Sequence, residues 1–409
     1  MAEDRVLLED SLRPVQMIVR CNGVLFNFLT PNTEHCLLYW ARFCFTSLIM
    51  LSVSAIVAFQ FIETAVTSYT DNTATDLFTN CLIFLMGSLS VTIQYLLFVG
   101  ATQFQQFFEC WQRIEMSWPD YFNGSKAKKN VQSLNIIRFI ALIILIERPV
   151  AIIIYHLSFP SHPFFLSYYS FFHDRFNSYF ITFIHAAIEY FMSFYWLLAE
   201  ILFTTFYHHA GCAIEDLVSQ VRHTSQLFFS RTLIYGECRV VIGSEVYYNV
   251  TTFRQIWQRY ETIVHWVNRA NKLFGVFVLA TQLISFISVI VDIYMGFLLF
   301  KTVPLRVVTF LAVCILYGVR IVLIIRVLSR FRSSFVQLQS VIAGLLSDEW
   351  YLLSDEDRQL LLSFLGRLNH QDLVACSMNL FTIHPISLLK ILFIIFTYMV
   401  TVFQRDGLV

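Results

Sequence analysis

The chain has 409 residues, 57% of them hydrophobic and 14% charged, with 42 phenylalanines. This balance is far from that of a soluble domain and marks a membrane protein. Lysine plus arginine and aspartate plus glutamate both total 28, so no charge excess points to nucleic acid, and nine cysteines without C-x-x-C spacing indicate neither zinc nor a redox centre.

The first thirty residues carry Arg5, Arg13 and Arg20 and several acids, without the apolar stretch and small-residue cleavage site of a signal peptide. The first membrane segment is therefore expected to direct insertion. Runs near the roughly 20 residues that span hydrocarbon occur at about 37–60, 77–100, 134–157, 178–203, 274–299, 303–328 and 383–404. They are too long and too continuously apolar for barrel strands, so the fold class is an all-α membrane protein with seven transmembrane helices. Pro149, Pro160, Pro163, Pro304 and Pro385 sit near segment ends, and the chain shows no internal repeat, which disfavours a secondary transporter.

Lysine and arginine set the orientation. Arg5, Arg13 and Arg20, the Arg113, Lys126, Lys128 and Lys129 group, and Arg330, Arg332, Arg358 and Arg367 all fall on one side, which predicts a cytoplasmic N-terminus and an extracellular C-terminus. The sequons at Asn123 and Asn249 pull the other way, with less weight than the charge bias. This is the reverse of a G-protein-coupled receptor, whose acidic-Arg-aromatic and N-P-x-x-Y signatures are also missing.

Helical periodicity continues past the membrane. Phe104, Phe107, Phe108, Trp111 and Ile114 share a face, as do Ile214, Leu217, Val218 and Val221. Phe253, Ile256, Trp257, Tyr260, Ile263, Val264 and Val267 precede the fifth segment, and Phe331, Phe335, Leu338, Val341, Ile342 and Leu345 follow the sixth. Ser354 followed by Asp355, Glu356 and Asp357 reads as the capped start of another helix, with Leu360, Leu361, Phe364, Leu365 and Leu368. These amphipathic parts, at about 101–130, 204–272 and 329–382, must bury their stripes within the subunit, in the interface, or between subunits as an anchor domain. Residues 229–250, with Gly236 and Gly243, break the pattern most clearly. No linker separates the parts, so residues 1–409 read as a single unit.

No phosphate-loop, dinucleotide, zinc-protease or serine-hydrolase motif is present, and adjacent His208 and His209 point apart on a helix, so neither enzyme activity nor a cofactor is expected. Polar groups inside the membrane segments suggest a functional interior instead. In the predicted outer halves these are Glu147 and Tyr155, His185, Glu189 and Tyr190, and Asp292 and Tyr294. His185 and Glu189 are four apart on one face, and an aromatic wall with a few fixed polar groups is the usual makeup of a small-molecule site. Ion pairing between Glu147 and Arg148, or snorkelling, is the bland alternative.

The last segment contains TYMVTVFQ, in which Thr397 and Tyr398 are separated from Gln404 by five residues. This resembles the signature ending the final helix of insect gustatory receptors, and CSMNLFTIHPISLLKILFIIF upstream is similar to that family's approach to it. The resemblance implies a ligand-gated, non-selective cation channel of the plasma membrane, related to insect odorant receptors. Its subunits would form homotetramers or assemble with related chains, one final helix from each lining the pore, amid membrane lipids. A small tastant would bind in the outer half of each bundle, and cations would pass the central pore. By position, Gln404 would form a polar ring at the narrow outer pore, with Val400, Phe403 and Thr401 just below. Thr397 and Tyr398 would orient the helix. Arg405 stands where the family usually has phenylalanine, so Phe403 is left as the apolar constriction that gates by dewetting. Lys390 in the same helix would face a wet vestibule or snorkel inward. An odorant receptor subunit of the same fold is the alternative.

Overall fold

The computed structural model describes residues 36–67, 74–117, 125–158, 178–234, 243–300, 304–348 and 350–370, together with residues 12, 15, 376–377, 381–382, 393, 397, 400 and 404. The described helices are α1 (Cys36–Thr67), α2 (Ala74–Val99), α3 (Ala101–Ser117), α4 (Ser125–Ser158), α5 (Ser178–Ile234), α6 (Gly243–Phe300), α7 (Pro304–Asp348), a 3-10 turn (Trp350–Leu352) and α8 (Asp355–His370). Six predicted segments fall on α1, α2, α4, α5, α6 and α7, and the seventh on the stretch holding residues 393–404. Among the described residues, one small element departs from the helical class. The strands β1 (Cys376–Ser377) and β2 (Phe381–Thr382) pair antiparallel, Cys376 opposite Thr382.

α5 is the axis of the molecule. It packs against α2, α4, α6 and α7 and touches α1. Between Met192 and Gly211 all its described side chains but Ile201 are buried; most of the stretch is apolar or hydroxylated, and its Glu200 and His209 are paired with residues of neighbouring helices. In lipid, helices associate through close packing more than through the hydrophobic effect, so small residues at the crossings matter. A Cβ on Gly87 would meet Val57 Cγ2 at 3.1 Å and Met192 Cε at 3.4 Å, which is where α1, α2 and α5 converge. Gly211 of α5 lies against the backbone of Phe331 of α7.

The four amphipathic stripes are buried. Phe104, Phe107, Phe108 and Trp111 of α3 pack edge to face with Phe206, Trp266, Phe274 and Phe277 of α5 and α6. Trp257 stacks on Phe364 of α8 with ring centroids 5.8 Å apart. Ser354 caps α8 as its sequence predicts: the Asp357 amide donates to Ser354 Oγ at 3.1 Å, and the hydroxyl donates to Asp357 Oδ2 at 2.7 Å. Leu12 and Val15 of the N-terminal stretch are buried in this same core.

Three features differ from expectation. The helical run after the second segment is not straight: the chain turns by 67° between Phe84–Val99 and Ala101–Glu115. Gly100 sits at the bend, where a Cβ would lie 2.8 Å from Leu96 O and 3.0 Å from the Phe104 ring, so the corner is closed to larger residues. Residues 229–234 and 243–250 are helical, and Gly236 lies outside the described residues. α5 continues to Ile234 and α6 begins at Gly243, since Phe228, Phe229, Leu233 and Ile234 sustain the apolar pattern. Pro149 lies inside α4 and not at a segment end. Proline lacks the N–H that would bond to Leu145 O, and its neighbours in the bundle hold the helix through the defect.

Candidate functional site

Two regions carry the predicted site residues. On the last segment Phe393, Thr397, Val400 and Gln404 are helical. Their spacing of four, three and four residues places them on one face about 16 Å long. Phe393, Thr397 and Gln404 are exposed and Val400 is half-buried, so this face is turned out of the subunit. Thr397 Oγ1 donates to Phe393 O at 2.8 Å, tying the hydroxyl to its own helix. Lys390, Tyr398, Thr401, Phe403 and Arg405 lie outside the described residues.

The second region is the set predicted for the outer halves. Glu147 is half-buried on α4 and Tyr190 is half-buried on α5, where its ring stacks on Phe194 and meets Phe191 edge on, with centroids 6.4 and 5.4 Å apart. Tyr155 on α4, His185 and Glu189 on α5, and Asp292 and Tyr294 on α6 occupy helical positions, but their side chains lie outside the described set. Glu147 and Tyr190 are thus placed on neighbouring helices that pack together.

Further along the same helices is a polar centre that the sequence reading passed over. Arg320 of α7 and Glu200 of α5 form an ion pair, Nε to Oε1 3.0 Å, with neither side chain exposed. Arg320 Nη2 also donates to Ser285 Oγ of α6. The guanidinium lies 4.5 Å from the Trp196 ring and 5.1 Å from the Tyr317 ring, an aromatic surround that suits its weakly hydrated planar charge. Ser288 Oγ meets Met86 Sδ at 3.4 Å, fixing α2 against α6, and Ser90, Gln94 and Gln282 are buried on those two helices. Both amide atoms of Gln282 and the amide nitrogen of Gln94 have no hydrogen-bond partner among the described residues. Such groups are costly in a low-dielectric interior unless a polar molecule meets them. The missed signal was available: a glutamate and an arginine inside apolar runs mark a functional or structural interior by default.

Beyond the ends of the predicted membrane segments, the described residues hold further charged groupings, two of which join α5 to its neighbours. Glu115 of α3 accepts from Trp111 Nε1 at 2.7 Å and lies 3.4 Å from His209 Nδ1 of α5. Arg330 of α7 donates to both oxygens of Glu215 of α5 at 2.8 and 2.7 Å, and Ser334 adds a third bond. That fork holds the Arg330 proton affinity above its ordinary value, the hydrogen bond outweighing burial. His208 is pushed down to about 3, first by burial and then by the positive charges of His209, Arg330 and Arg138, so it is neutral. Burial raises the Asp357 carboxyl.

The model of a family described as 7tm chemosensory receptor matches residues 12–406. Among solved structures, the insect olfactory receptor OR5 from Machilis hrabei superposes with a TM-score of 0.69 at 12% identity, over 97% of this chain and 98% of that one. The same receptor in complex with eugenol superposes with a TM-score of 0.62 at 14% identity, over 97% and 98% of the two chains. At such identities the likeness shows the fold alone. No curated protein sequence matches the chain.

Proposed function

The chain belongs to the 7tm chemosensory receptor family, receptors and not enzymes, and from that premise we propose that it is a gustatory receptor of the plasma membrane acting as a ligand-gated, non-selective cation channel. A small tastant binds in the outer half of the helical bundle, and the last helix of each subunit lines the pore. The observation that carries this reading is the exposed face Phe393, Thr397, Val400 and Gln404. A single helix facing lipid has no use for a glutamine on its exposed face, whereas the same face around a symmetry axis lines water. The position of Thr397 and Gln404 in the family's closing signature supports taste over smell.

The extensions beyond the membrane support subunit association. Val336 of α7, Trp350 and Tyr351 of the 3-10 turn, and Leu362 of α8 are exposed apolar side chains outside the predicted membrane segments, and covering them with a second copy removes them from water. The cytoplasmic N-terminus and extracellular C-terminus follow from the arginine and lysine bias. Half-buried Glu147 and Tyr190, in the predicted outer halves, favour a ligand that carries hydrogen-bonding groups.

Whole-cell recording from cells expressing the chain, against sugars, alkaloids and amino acids, tests the reading. A cation current evoked by one of these supports it. Surface expression with no current from any of them sinks it. Responses confined to volatile phenols such as eugenol, the ligand of the structural neighbour, would assign the chain to the odorant branch instead.

A further inference from the structure

Arg138 of α4 has an unusual environment. Its Nη1 donates to Asn135 Oδ1 at 3.2 Å, an exposed amide one turn back on the same helix. Its Nε and Nη2, the edge that forms two parallel bonds to a carboxylate or phosphate, are shielded by the protein and have no partner among the described residues. No described carboxylate lies within ion-pair distance of it. The acids of this level are engaged elsewhere: Glu215 with Arg330 and Ser334, and Glu115 with Trp111 and His209. The charge of Arg138 reaches His208 of α5, which also feels Arg330 of α7, so positive charge from α4 and α7 converges on α5 there.

The residue also sits at a seam. Asn135, Ile136 and Phe139 are exposed while Leu134, Ile137 and Ile140 are buried, and half-buried Arg138 lies between these faces. It falls about 6 Å inside the predicted start of the third membrane segment, within reach of the headgroup layer for a side chain that snorkels. Lys126, Lys128 and Lys129 stand on the first turns of α4, on the approach to it.

We propose that the α4–α5 seam at Arg138 binds the phosphate of an anionic phospholipid, drawn from the leaflet that meets the basic side of the bundle. Two charge-assisted bonds from the Nε and Nη2 edge outweigh the single bond at the long end of the range that now anchors the guanidinium, so the side chain turns outward onto the headgroup. Arginine is suited to this role and lysine less so, because only the planar fork binds two oxygens at once.

The inference rests on the chain's place in a bilayer and not on conduction, so its test needs no current. The full chain is reconstituted in phosphatidylcholine nanodiscs with and without phosphatidylserine, and the lipid retained after mild extraction is read by native mass spectrometry. The wild type is expected to keep phosphatidylserine in preference to phosphatidylcholine. Arg138→Gln should lose that preference by about tenfold, the scale of one charge-assisted bond, while Arg138→Lys keeps part of it. Asn135→Asp, which supplies the arginine with an internal carboxylate and leaves the core alone, should lose it as well, which covers the case that Arg138→Gln fails to fold. Equal preference in the wild type and Asn135→Asp overturns the assignment. Displacement of the lipid by inorganic phosphate alone overturns the lipid source in favour of a soluble anion. A chain that retains phosphatidylserine yet never conducts would count against the channel reading only.

Discussion

Arg320 and Glu200 join α7 to α5 from wholly buried positions, Nε 3.0 Å from Oε1, with the Trp196 and Tyr317 rings beside the guanidinium. Removing either partner strands the other charge in the interior, which costs on the order of 3–5 kcal/mol. Glu200→Gln and Arg320→Met should each lower the thermal midpoint of the purified receptor sharply. The double variant Glu200→Gln/Arg320→Met should recover most of the loss, because no charge is then stranded. A double variant no better than the worse single one would mean that the ion pair is not what these residues contribute.

The final helix gives a second expectation. Gln404→Ala removes the amide from the exposed face, and Arg405→Phe restores the residue that the gustatory signature usually has after Gln404. If four copies surround a pore, both should shift the reversal potential under bi-ionic conditions or raise the basal current. Identical permeation in wild type and both variants would place the pore elsewhere.

His208 sets an acid limit on stability. Its ordinary value of 6.5 falls to about 3 in the folded chain. Above 6.5 neither state is protonated there and the group has no effect. As pH drops from 6.5 towards 3 the unfolded chain takes the proton and the folded one does not, so the folded state loses roughly 1.4 kcal/mol per pH unit from this site. His208→Gln should flatten the fall of the thermal midpoint across that window. An unchanged pH profile in the variant would assign the acid sensitivity to other groups.

At the corner between α2 and α3, Gly100→Ala forces a Cβ to within 2.8 Å of Leu96 O and 3.0 Å of the Phe104 ring. Overpacking of this kind costs about 1–3 kcal/mol. Gly211→Ala, whose Cβ would meet Phe331 Cα at an ordinary 3.4 Å, is the matched control and should be nearly neutral. Comparable thermal midpoints for the two variants would show that the bend tolerates a side chain.

Ser354→Ala removes the α8 cap, in which the Asp357 amide donates to Ser354 Oγ. The loss should be about 1 kcal/mol, visible as faster amide hydrogen exchange in Asp355–His370 with little change in α5. Uniform exchange rates in the two proteins would remove the cap from the account.

Much of this was legible in the residues. The stripe from Phe253 to Val267 names its own face by recurring every three or four positions, and each of its members but half-buried Trp257 is buried. Periodicity names a face and not its partner. Glu200 and Arg320 were visible as charges in apolar runs, but nothing local says that residues 120 positions apart in the chain meet. The 67° turn at Gly100 leaves no mark on the apolar spacing either side of it, since the angle depends on how the Phe104 ring closes the corner. The two-residue strands at Cys376 and Phe381 are too short to leave a pattern. The apolar spacing at Phe228, Phe229, Leu233 and Ile234 accounts for the length of α5 up to Ile234. The predicted outer residues were chosen by chemistry alone, and chemistry does not say which way His185 or Asp292 points.

The length of α5 has a mechanical meaning. Its 57 residues form one unbroken helix of roughly 85 Å, running from the level of Tyr190 through Glu200 to the Glu215 fork. A rod with no joint cannot yield at one end and stand still at the other. A substitution near Tyr190 that tilts it, selected to suit a new ligand, would also be felt at Arg330. Change along such a helix is therefore never purely local, and residues around the Glu215 fork should change in step with those near Tyr190.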